Sequence, residues 1–134
     1  IPLRLVGSEM CIRDSSIVGL FYRPDRISRP SPWAQPILPG DLWCDDPQHQ
    51  AYNTLCRAPL GASAETLRRS DPQYDLIMIT DWNWPRAVPG LGSAIFIHQW
   101  RSPGASTAGC IAMARQNLVW LAKSLMPETR LIVR

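Results

Sequence analysis

YDLIMITDWNWPRAVPGLGSAIFIH, residues 74–98, holds two apolar runs joined by a turn-rich link, and its reading decides the fold. Tyr74 to Thr80 is an apolar run of strand length, bounded by Asp-Pro before it and by Asp-Trp-Asn-Trp-Pro after it. Pro89-Gly90-Leu91-Gly92 is a turn. Ser93 to His98 reads as the next strand. Alternation along it puts Ala94, Phe96 and His98 on one face and Ser93, Ile95 and Ile97 on the other.

Downstream, Arg101 to Gly109 is a loop rich in Gly, Ser and Pro. One helix is predicted over residues 114–126, where Leu118, Leu121, Ala122 and Leu125 recur at helical spacing and Pro127 ends the stripe. Arg130 to Arg134, RLIVR, reads as a closing strand. Upstream, Ile17 to Tyr22 is a strand. Arg23 to Gly40 carries Pro24, Pro30, Pro32, Pro36 and Pro39. Each proline removes a backbone donor, so this segment is expected as an extended surface loop with short edge pairings. Asp41 to Asn53 reads as a polar loop with aromatic anchors. Ala64 to Arg69 reads as a helical turn with Ser63 as its N-cap. No internal repeat or domain break interrupts the chain, and the outline is mainly β with one helix.

The 134 residues suit one domain, and a chain 46% hydrophobic and 19% charged has an ordinary globular balance. The net charge of +3 is mild, and its Lys and Arg form no stripe, which argues against nucleic acid. No apolar run approaches the ~20 residues of a bilayer span. The opening IPLRLVGSEMCIRDS has no sustained periodicity and no signal-peptide pattern. Within it, LVGSEMCIRD (5–14) resembles the in-frame translation of a transposon-type sequencing adapter. Residues 1–14 are therefore expected to be a non-native leader and 15–134 a partial domain. Setting the leader aside removes two basic and two acidic residues, which leaves the charge at +3, and it removes Cys11. Of the remaining cysteines, Cys44 and Cys56 pair in an oxidising compartment or stay reduced along with Cys110; spacing favours neither.

Two residues suggest chemistry. His98 ends the second strand, and Cys110 follows twelve positions later, after Ser-Thr-Ala-Gly. A thiol is a useful nucleophile only when ionised, which needs a base, a nearby positive charge or a helix N-terminus. His98 is a candidate base, and the helix after Cys110 offers the positive end of its dipole. Gly109 permits close backbone approach, so the amides of Gly109 and Cys110 are candidate oxyanion donors. Spacing alone also fits a satisfied core histidine and a small buried thiol. Cys44, Asp45, Asp46 and His49 cluster without a zinc-ligand pattern, so no metal or cofactor is expected.

The segment GSAIFIHQW…STAGCIAM resembles the active-site signature of the L,D-transpeptidase catalytic domain family, the YkuD type. YRPDR (22–26), LWCDDPQHQAYN (42–53), SAETLRR (63–69), YDLIMITDWN (74–83) and RLIVR are similar to a compact bacterial branch of it. The resemblance implies a β-sandwich of mixed strands, truncated at its N-terminal side, with a Cys–His active site. It implies peptidoglycan stem peptides as substrate, cell-wall organisation and cell shape as the process, and the periplasm or cell envelope as the place. Cys110 is then the nucleophile and His98 the general base and acid. Gly109 and Cys110 amides bind the oxyanion, and a carbonyl in the loop 102–107 orients the imidazole. Ser106, Thr107, Trp100, Arg101 and Asn83 are the candidate substrate-binding residues. An amine acceptor gives a cross-link and water gives hydrolysis; a non-catalytic wall-binding domain or an inert fragment is the other class. The sequence departs from the pattern at Gln99, Ala108 and Ala112, where many members carry Gly, His or Glu, and Arg. Arg101 or Arg115 is a candidate replacement for that arginine. Trp43, Tyr52, Trp82 and Trp84 fit either groove lining or packing over a small core.

Overall fold

The computed structural model describes residues 15–101, 111–126 and 129–131. Its strands are β1 (Ser15–Tyr22), β2 (Gln35–Pro36), β3 (Asp41–Cys44), β4 (Leu55–Arg57), β5 (Ala64–Thr66), β6 (Leu76–Thr80), β7 (Phe96–Gln99), β8 (Ile111–Met113) and β9 (Arg130–Leu131). The helix α1 spans Arg115–Ser124. The fold is mainly β, as the sequence predicts. The main sheet runs β2-β1-β6-β7-β8, with β9 paired to the start of β1. It is mixed: β1–β6 and β6–β7 are antiparallel, while β1–β2 and β7–β8 are parallel. A second, antiparallel sheet runs β4-β3-β5.

β6 explains this layering. All five of its residues are buried. Leu76 and Met78 join a core with Ile95, Ile97 and the α1 residues Leu118, Leu121 and Ala122. Ile77 and Ile79 join a different core with Trp43, Leu67, Ala94 and Phe96. The main sheet is thus covered by α1 on one face and by the small sheet on the other. A strand covered on both faces is apolar throughout rather than alternating. Fully burying each such side chain contributes about 1.5–3 kcal/mol. The predicted alternation in the next strand holds, since Ala94 and Phe96 face one core and Ile95 and Ile97 the other. Where β1 crosses β6 its register shifts between Ile17 and Gly19. A Cβ at Gly19 would meet Ile79 Cγ1 at 3.0 Å, so the two strands approach there as closely as glycine allows.

The elements differ from the sequence reading in several places: Leu55–Arg57 and Ile111–Met113 are strands it does not predict, and the helix expected over 114–126 spans Arg115–Ser124, with Ala114 and Leu125 as its caps. Asp41–Asn53 is not all loop, because Asp41–Cys44 is the central strand of the small sheet. Ala64–Thr66 is a strand rather than a helical turn, and Ser63 caps nothing helical; its carbonyl accepts from Asp45 N. These strands are short and partly polar, so their pairing with one another outweighs local propensity. The strand expected from Tyr74 begins at Leu76. Asp71 accepts a hydrogen bond from Gln73 N and Pro72 sits at the first turn, which makes Pro72–Tyr74 a 3-10 turn. The strand expected from Ser93 begins at Phe96, because Ala94 has φ 58° and its amide donates to the Asn53 side chain.

Candidate functional site

His98 lies on β7, between β6 and β8, and is only 2% exposed. Its Cα partner on the parallel strand β8 is Ala112. β8 begins at Ile111, the residue that follows Cys110 in the chain. Cys110 itself, with Ser106, Thr107, Gly109 and the rest of 102–110, lies outside the described residues.

The His98 ring is held from two directions. Nδ1 is 2.7 Å from the carbonyl oxygen of Gln99. A carbonyl only accepts, so Nδ1 carries the proton in this contact and Nε2 is left with the basic lone pair. The Tyr74 ring packs edge-on against the imidazole at 5.4 Å between centroids. Burial pushes the His98 pKa below the ordinary histidine range. The bond to Gln99 opposes this, Arg69 adds to it and Asp71 counters Arg69. A neutral, tautomer-defined imidazole is in the form that accepts a proton.

Around it lies a set of arginine–aspartate contacts. Asp75, 4% exposed, accepts from Arg26 Nη1 and from Arg115 Nη1, both at 2.8 Å. Arg115, the first residue of α1, also lies 3.4 Å from Gln99 Oε1. Arg69 pairs with Asp71, and its guanidinium lies 5.2 Å from the Tyr74 centroid.

The other predicted residues are placed as follows. Trp100, half-buried, donates its backbone amide to Met113 O, and Arg101 is exposed. Asn83 has φ 54°, and its side chain bonds Val88 N, Val88 O and Gly92 O, so its amide is taken up within its own loop. Trp43 and Tyr52 are buried packing residues, whereas Trp84 is exposed. Cys44 and Cys56 are both free thiols, and burial pushes the Cys44 thiol up, away from the reactive thiolate. His49 Nδ1 accepts from Ala51 N in a turn, and no cluster of potential metal ligands occurs among the described residues.

Sequence reasoning missed the contacts that hold His98. Tyr74 and Asp75 read only as the first residues of a strand. Asp71-Pro72, a capped turn signal, was the one local hint that Tyr74 precedes the strand rather than belonging to it.

A model of the YkuD family, described as L,D-transpeptidase catalytic domain, matches residues 14–133. The same comparisons find no matching curated protein and no matching solved structure.

Proposed function

We propose a function from one premise: the chain belongs to the YkuD family of L,D-transpeptidase catalytic domains, which act on peptidoglycan. The reading is a cysteine acyltransferase that works on stem peptides through a thioacyl-enzyme at Cys110. The observation that carries it is the buried His98, with Nδ1 bound to Gln99 O and Nε2 left as the base.

His98 Nε2 takes the Cys110 proton, and the thiolate attacks the carbonyl carbon before the terminal D-alanine. The oxyanion is met by the amides of Gly109 and Cys110, a contribution of about 3–4 kcal/mol per donor in comparable sites. As the C–N bond breaks, the imidazolium returns its proton to the departing D-alanine amine. His98 then deprotonates the acceptor amine, which attacks the thioester and releases Cys110; a water acceptor completes hydrolysis instead. No carboxylate is required as third member, because a backbone carbonyl does its orienting work, that of Gln99 in place of the one expected in the loop 102–107, which lies outside the described residues.

For the stem peptide the reading uses Ser106 and Thr107 before the nucleophile and Trp100 and Arg101 after β7. Asn83 contributes by bracing its loop. Ala112, where many members carry arginine, is buried beside His98, and Arg115 is the part-exposed cation offered for a substrate carboxylate. No helix among the described residues is long and apolar enough to cross a membrane, and the family is associated with the cell wall.

The test is covalent labelling with a carbapenem, read by intact mass. A single adduct is expected, lost in Cys110→Ser and kept in Cys44→Ser and Cys56→Ser. Labelling that survives Cys110→Ser rejects the assignment. Mass spectrometry of muropeptides separates cross-linking from hydrolysis.

A further inference from the structure

Four rings stack edge-to-face in a row that ends at His98. Trp43 meets Phe96 at 5.1 Å and 88°, Phe96 meets Tyr74 at 5.9 Å and 73°, and Tyr74 meets His98 at 5.4 Å and 65°. All lie in the preferred separation for edge-to-face aromatic contacts. The far end is fixed by a hydrogen bond from Trp43 Nε1 to Asn53 Oδ1 at 2.9 Å. The near end is capped by Arg69, whose guanidinium lies over the Tyr74 ring.

We propose that Tyr74 is a positioning residue for His98, and that the small sheet and Arg69 hold it in place through this aromatic row. The inference rests on the reading of His98 as the base. A single bond from Nδ1 to a carbonyl fixes one point of an imidazole and leaves its plane free to rock. A second contact on the ring removes that freedom. Tyr74 is suited to supply it. Only 5% exposed, it sits at the end of a 3-10 turn capped by Asp71, and the next residue, Asp75, is tied to Arg26 and Arg115. Its own rotamer is therefore locked by its surroundings, as a supporting residue's must be. The aim of Nε2 matters because about 1 Å of misplacement at a reacting group costs on the order of a hundredfold in rate. Among the described residues, the charged groups that act on His98 are Arg69 and Asp71. Arg115 reaches the neighbouring Gln99 side chain. The aromatic row shares the side of β7 that His98 occupies, because Phe96 and His98 are two positions apart.

The experiment is NMR of the full chain with isotope-labelled histidine, alongside carbapenem acylation rates. The chain has two histidines, so a His49→Gln background isolates the His98 signal. Tyr74→Phe keeps the ring, and the His98 tautomer and titration midpoint should stay as in the unaltered chain. Tyr74→Leu should raise the midpoint toward the ordinary histidine value, increase the Nε2–H tautomer and slow acylation about tenfold. A folded Tyr74→Leu with an unchanged His98 signal overturns the proposal. If that variant does not fold, the part-exposed Arg69→Gln decides by the tautomer, because loss of the Arg69 charge alone would raise the midpoint: an increased Nε2–H tautomer supports the proposal and an unchanged one overturns it. The NMR readout needs no substrate. Absence of Cys110 acylation in the unaltered chain therefore defeats the functional reading alone, and an unmoved imidazole defeats this one alone.

Discussion

The carbonyl oxygen of Gln99 lies 2.7 Å from Nδ1 of His98, its immediate neighbour on β7. A strand residue thus orients its neighbour's ring with its backbone oxygen, and the contact makes no use of the Gln99 side chain. It assigns the neutral tautomer. Nitrogen-15 shifts above the titration midpoint should show a protonated Nδ1 and a bare Nε2 for His98. The opposite tautomer would remove the basis for Nε2 as the proton acceptor.

The burial of His98 also makes stability depend on pH. Its folded midpoint is depressed, chiefly by burial, while in the unfolded chain it titrates near ~6.5. Between those two values the unfolded chain binds more protons, so stability rises with pH. The contribution is complete above about pH 6.5 and is lost as pH falls through the folded midpoint. Urea denaturation across that range should show the loss, and His98→Gln should flatten it. An unflattened slope would place the acid sensitivity in other groups.

Asp75 should be costly to neutralise. It is buried, and both carboxylate oxygens are engaged, one by Arg26 and one by Arg115. Breaking a buried pair costs about 3–5 kcal/mol, less where the partner is solvated, as these two arginines partly are. Asp75→Asn is expected to destabilise the fold by about 2 kcal/mol. It should also release the start of α1, seen as faster amide exchange at Leu118. A loss under about 0.5 kcal/mol would show that the two bridges are carried by solvent.

Asn53 joins the small sheet to the loop before β7. Its Oδ1 accepts from Trp43 Nε1 and Ala94 N, and its Nδ2 donates to the carbonyls of Trp82 and Asn83, at a backbone φ of 59°. Asn53→Ala leaves buried donors and acceptors unpaired at about 1–3 kcal/mol each, so a total loss of at least about 3 kcal/mol is expected by urea denaturation. Asn53→Gly relieves the backbone alone and should recover less than about 1 kcal/mol of it. Full recovery with glycine would mean that the conformation, rather than the bonds, sets the requirement.

Much of the main sheet and the helix was legible because their signals are local. The run Leu76–Thr80 is apolar at every position, and the stripe Leu118, Leu121, Ala122 has the period of a helix. β3 and β5 were not legible. Each is a few partly polar residues long, and each becomes a strand only through pairing within the small sheet, β5 with β3 (Leu42 with Thr66, Trp43 with Glu65) and β3 with β4 as well. The candidate site divides in the same way. His98 stood out as a polar residue ending an apolar strand, and Cys110 as a thiol after Ser-Thr-Ala-Gly. What holds His98 did not, since Tyr74 lies in a different element.

The sequence by itself determined the β-rich class and the family and singled out the histidine as a candidate, because hydrophobic patterning and a contiguous motif are written in neighbouring residues. Only the tertiary structure decided that Tyr74 packs on His98, and that Arg26 and Arg115, 49 and 40 positions from Asp75, share one carboxylate. Those contacts arise where β6 pairs with β7 and α1 folds back on the sheet. The free energy of such long-range closure belongs to the whole assembly and leaves no periodic trace in any one segment.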